Sequence, residues 1–86
     1  MSLYEEIENT LQRAFTPDEL EVTDDSRQHA GHAGARSGGH FSVLIVAEAF
    51  RGRSLLERHR LVYDALSPLK SGIHALSVRA LAPGEI

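Results

Sequence analysis

A chain of 86 residues is the size of one domain, and one this small buries only somewhat more than about 60% of its unfolded surface, which leaves little interior for an enclosed catalytic cavity. Hydrophobic residues make up 42%, enough for one packed core across residues 1–86, while 24% charged residues and no apolar run near the roughly 18 that cross a bilayer exclude a membrane segment. Zero cysteines exclude a disulfide framework, a thiolate nucleophile and an iron–sulfur cluster held by the chain's own thiolates, and a net charge of -3 argues against a surface that is wholly a nucleic-acid footprint.

Ser2 followed by Glu5 has capping-box spacing, and Leu3, Ile7, Leu11 and Phe15 recur at helical intervals, so the first helix is predicted over Leu3 to Phe15. The same N-terminal stretch is acidic where an export or targeting sequence would be basic, so the expected compartment is the cytosol. Thr16-Pro17 ends the helix. Leu20 to Asp24 is short, β-branched and alternating, and predicts a first strand.

From Asp25 to Gly39 the periodicity disappears, and four of the seven glycines fall there with His29 and His32. A loop of that length in a small domain is usually functional or disordered. His40 to Ala47 is predicted as the most buried strand, with Phe41, Val43 and Ile45 on one face and Leu44 and Val46 on the other. Phe50 to Arg53 reads as a turn. Ser54 and Glu57 repeat the capping box, and Leu55, His59, Val62, Leu66 and Leu69 follow at helical spacing, so a second helix is predicted over Leu55 to Leu66 with a break near Pro68. His74 to Ala80 alternates as a third strand. The order α-β-β-α-β predicts an α+β fold, a three-stranded mixed sheet with helices on one face and a parallel pair across the second helix.

The run Phe50-Arg-Gly52-Arg-Ser54-Leu-Leu-Glu-Arg58-His59-Arg60, then Leu61-Val-Tyr63, then Ile73-His74-Ala75-Leu76, resembles the signature of the BolA family. Val22-Thr-Asp-Asp25-Ser26 before the loop and Gly39-His40-Phe41 after it resemble the family too, so the likeness covers nearly the whole chain. One departure is the tail: many members continue with a Trp-containing segment where this sequence ends at Ile86. The resemblance implies a fold similar to the type II KH domain and a heterodimer with a monothiol glutaredoxin, in iron–sulfur cluster trafficking, iron regulation or stress response. In such complexes a [2Fe-2S] cluster is shared between the glutaredoxin cysteine, a glutathione thiol and two BolA-side ligands. Matched residue by residue, these are His74 and, in the loop, His29, with His32 as an alternative.

Residue chemistry agrees on one point. Imidazole can replace thiolate on one iron of a [2Fe-2S] centre, but a chain without cysteine cannot supply thiolates to the other, so a cluster requires a partner. Other readings stand beside this one. His74 at a strand start can be a structural hydrogen-bonding residue, and His29 and His32 can be solvated or bind zinc weakly, two nitrogens being short of the four that a closed site needs. His59 lies among Leu55, Val62 and Leu66 and reads as a packed, hydrogen-bonded histidine, and His40 reads as structural.

Arg51, Arg53, Arg58 and Arg60 form a basic cluster, and together with the KH-like topology they suggest DNA binding by a transcriptional regulator as the competing function. Arg53 with Glu57 and Arg60 with Asp64 have ion-pair spacing, so much of the cluster can be a salt-bridged face. A KH domain clamps nucleic acid with Gly-x-x-Gly, whereas Gly52-Arg-Ser-Leu55 lacks the second glycine. No phosphate loop, paired-carboxylate motif or Ser-His-Asp order is present, and the expectation is a non-enzyme, with no membrane contact and at most a weak homodimer.

Overall fold

Both main helices begin with the same reciprocal bond pair. The Ser2 and Ser54 hydroxyls accept from the backbone N–H of Glu5 and Glu57, each at 3.1 Å, while those glutamates accept from the serines' own N–H groups at 3.2 and 2.8 Å. Helix starts leave such N–H groups without intrahelical partners, and a serine cap contributes about 1 kcal/mol. The two caps fix the first turns of α1 (Leu3–Phe15) and α2 (Leu55–Ala65). Thr16 ends α1 in a left-handed conformation, φ 44°, with its N–H on the Gln12 carbonyl.

The computed structural model describes residues 2–25 and 39–85. The predicted loop, apart from its two end residues, therefore lies outside the described residues, and His29 and His32 with it. The strands are β1 (Glu19–Asp24), β2 (Gly39–Val46) and β3 (Ile73–Leu81), joined in the order β1-β2-β3. β1 runs antiparallel to β2, with Val22 opposite Val43, and β2 runs parallel to β3, with Val43 opposite Val78. The crossover through α2 demands that parallel pairing, as the sequence predicts.

Side-chain alternation divides the sheet. Val22, Phe41, Val43, Ile45 and Ala80 are buried together with Ile7 and Leu11 of α1 and with Val62 and Leu66 at the end of α2. α1 lies against β1 and α2 against β3, which gives the helix-covered face expected of this order. Phe50 closes one end of this core, fully buried in a 3-10 turn over Glu48–Phe50, with its ring centre 5.1 Å from that of Phe15. A second 3-10 segment, Ser67–Gly72, follows α2 where the break near Pro68 is predicted. Proline has no N–H for an α-helical bond but fits an N-terminal position, and the chain tightens there before entering β3.

Element ends differ from the sequence reading by a residue or so. β3 begins at Ile73 because that residue pairs with Gly39, and α2 ends at Ala65. Leu55 departs further from the sequence reading: it is 69% exposed, and Leu56 is 59% exposed. The buried stripe of α2 starts later, at half-buried His59 and at Val62.

Candidate functional site

Parallel pairing brings the start of β2 beside the start of β3. The register steps from Gly39 opposite Ile73 to His40 opposite Ala75, so His74 is the extra residue of a β-bulge. Bulges re-aim a side chain without ending the sheet. His74 is exposed, and its ring centre lies 5.0 Å from that of half-buried His40, with the ring planes tilted by 48°.

Three further features hold this corner. The Asp25 N–H donates to the His40 carbonyl at 2.6 Å, and the Ser42 hydroxyl donates to the Asp25 carboxylate, so the chain leaves β1 and enters β2 at the same place beside the two imidazoles. Gly39 lies under the Phe41 ring, where a Cβ would come within 2.3 Å of a ring carbon, so only glycine lets that ring pack beneath the strand start. The Tyr63 hydroxyl donates to the Leu76 carbonyl at 3.1 Å and ties α2 to β3 just past the bulge. Between them, Tyr63, Leu66, Lys70, Ile73 and His74 line an open hollow of about 350 Å³. The corner thus presents an exposed imidazole beside a concave, partly apolar surface.

The four arginines divide into two kinds. Arg58 donates its Nε to the Arg53 carbonyl at 3.0 Å, one terminal nitrogen to the Ala80 carbonyl at 3.0 Å, and both terminal nitrogens to the Glu85 carboxylate at 2.6 and 3.0 Å. Its side chain is only 12% exposed, and it clamps the start of α2, the end of β3 and the tail into one unit. Arg51 is held by Glu48 at 2.5 Å and by the Pro83 carbonyl at 3.0 Å. Arg53 and Arg60 are exposed. The i,i+4 pairs suggested by the sequence are not the ion pairs formed among the described residues: Glu57 is committed to capping α2, and the partners are Glu48 and Glu85.

The Arg58 guanidinium, followed by the Ala82 N–H, holds the Glu85 carboxyl at about 2, below its ordinary 4.5. A depressed carboxyl stabilises the fold above its unfolded value, and that contribution fades as pH falls from about 4.5 through about 2. Amide signals of Ala82 and Glu85, followed by NMR, should therefore change at the acid end of that window; a midpoint near 4.5 would show that the clamp does not form.

His59 is packed as expected, edge-on to Tyr63 with ring centres 6.3 Å apart, but it is not the hydrogen-bonded residue the sequence suggests. Its Nε2 is buried and has no hydrogen-bond partner among the described residues.

Of the sequence-predicted ligands, His74 is placed at the corner, and His29 and His32 lie outside the described residues. His40, which the sequence reads as structural, stands beside His74 at the corner. The signal was available: two histidines at the starts of strands predicted to pair in parallel become neighbours if the register allows it.

The fold has clear relatives. The family model described as "BolA-like protein" matches residues 11–85. SufE-like protein 1 of Arabidopsis thaliana, labelled chloroplastic/mitochondrial, is 49% identical over 87 residues, 93% of this chain and 24% of that protein, so the chain spans about a quarter of that relative's length. The DNA-binding transcriptional regulator BolA of Escherichia coli is 42% identical over 79 residues, 91% of this chain and 73% of that protein. Among solved structures, the BolA domain of SufE1 from Arabidopsis thaliana superposes with a TM-score of 0.86 at 49% identity, covering 100% of this chain and 98% of that one. With a family match over nearly all of its length and the same fold in its relatives, the chain belongs to the BolA-like protein family.

Proposed function

We propose that this domain is an adaptor that binds a monothiol glutaredoxin and shares a [2Fe-2S] cluster with it, in iron–sulfur trafficking or iron regulation. The observation that supports this best is exposed His74, set on a strand bulge beside both ends of the β1–β2 connection. The partner's cysteine and glutathione supply the thiolate that this chain lacks, and the cluster is cargo, not a resident group. The domain's own task is to present imidazole nitrogen at a fixed point. The second imidazole we assign to His29, four residues past Asp25 in the sequence, with His32 as the alternative. The relatives' names include organellar addresses, so this domain type is used outside the cytosol as well, and the adaptor role we infer does not depend on compartment.

The test is to mix the purified domain with a cluster-loaded monothiol glutaredoxin in the presence of glutathione and follow visible absorption and circular dichroism. A new cluster spectrum saturating at one domain per cluster is expected, while the domain alone with iron and sulfide stays colourless. An unchanged glutaredoxin spectrum, or a stable cluster on the domain alone, would sink the reading.

A second reading, DNA binding, is favoured by the printed name of the Escherichia coli relative and by exposed Arg53 and Arg60. Arg51 and Arg58 spend most of their donors inside the domain, so the free basic surface is small. Binding measured by fluorescence anisotropy at physiological salt is expected to be weak and sequence-blind. Affinity tighter than about micromolar with about a thousandfold sequence preference, lost in Arg53→Ala/Arg60→Ala, would make DNA the function.

A further inference from the structure

We infer that His40 and His74 together form a two-imidazole chelate for a tetrahedral transition-metal ion. This deepens the shared-cluster proposal, and rests on it for the identity of the metal, by naming His40 as a nitrogen ligand beside His74.

The geometry carries the inference. A metal–nitrogen bond of about 2.0–2.1 Å puts a metal about 3.2 Å from the centre of each imidazole, and a tetrahedral angle between the two then separates the ring centres by about 5.2 Å. The separation between His40 and His74 is 5.0 Å. Both residues sit on sheet backbone, His40 with its carbonyl fixed by the Asp25 N–H and His74 in the bulge, so the spacing is set before any metal arrives. Rotation about the Cβ–Cγ bond, a broad two-fold torsion, brings either ring nitrogen towards the gap. Burial of the His40 Nε2 is therefore compatible with coordination.

Two imidazoles leave two of four positions open. The pair does not close a structural metal site, and no group of three metal-binding side chains occurs among the described residues. The site is built to be completed by ligands from another molecule. Imidazole donors favour zinc, nickel, copper and iron over magnesium or calcium.

The test uses the whole apo domain and Zn²⁺ alone. Long-range ¹⁵N–¹H correlation spectra resolve each imidazole, and on titration the His40 and His74 ring signals should move together and saturate at one zinc per domain, with His59 unmoved. His40→Asn should weaken zinc binding by at least about tenfold, whereas His29→Ala/His32→Ala should change it less than about threefold. Zinc that shifts the loop histidines and leaves His40 still, no saturable binding, or an unaffected His40→Asn variant would overturn the chelate. The wild-type spectra answer even if His40→Asn does not fold. Zinc held by His40 and His74 in a domain that leaves the glutaredoxin cluster spectrum unchanged would remove the cluster reading and keep the chelate.

Discussion

His74→Ala is expected to abolish the altered spectrum that the wild-type domain gives with cluster-loaded monothiol glutaredoxin. The side chain is exposed and leaves no cavity when truncated, and the residue is the extra one of the bulge, so the β2–β3 ladder keeps its register. Surface substitutions of this kind shift stability by less than about 0.5 kcal/mol. Far-ultraviolet circular dichroism, the melting curve and formation of the cluster-free complex should therefore match wild type while the cluster signal disappears. His29→Ala should only weaken or broaden that signal, because His32 is three residues away on the same connection and can take its place. A wild-type spectrum from His74→Ala would end its assignment as a ligand, and loss of fold would show that it supports the sheet instead.

Phe50→Ala should have the largest effect on stability. Its fully buried ring joins the end of β2 to α1 by packing on Phe15, and its backbone forms the 3-10 turn that leads towards α2. Truncating a buried phenylalanine costs about 3–5 kcal/mol, and the cost is highest where neighbours cannot close the gap. A domain of this size has a total stability of about 4–13 kcal/mol, so the variant should lose a large share of it. At about 4–8 °C per kcal/mol, thermal unfolding should fall by roughly 12–40 °C. A drop of less than about 5 °C would mean that Phe15 and its neighbours collapse into the space and that the core closes elsewhere.

Periodicity and caps carried most of the fold. Ser2 with Glu5 and Ser54 with Glu57 mark both helix starts, and the alternation of Phe41, Val43 and Ile45 marks the central strand, because local hydrogen bonding and one buried face suffice to determine these elements. Long-range partners were less legible. Arg58 pairs with Glu85, 27 residues away, and not with a neighbour one helical turn along, since the tail's position beside α2 is a property of the whole fold. His40 and His74 are similar: each is ordinary in its own strand, and they become neighbours only through the pairing of β2 with β3. Leu55 fits a helical stripe by spacing but is left exposed, because periodicity marks a face of a helix and not how far along it the core extends.

The bulge also makes chain length, and not only residue identity, a determinant of the corner. Deleting His74 would let β2 and β3 pair without interruption from Gly39 onwards, so the sheet would keep its register while the imidazole beside His40 was lost. A one-residue deletion near Val78 would turn every following side chain to the opposite face and expose Ala80. A one-residue change in length at the start of β3 is thus absorbed where the register already steps, whereas one in the middle of the strand turns its buried face outwards.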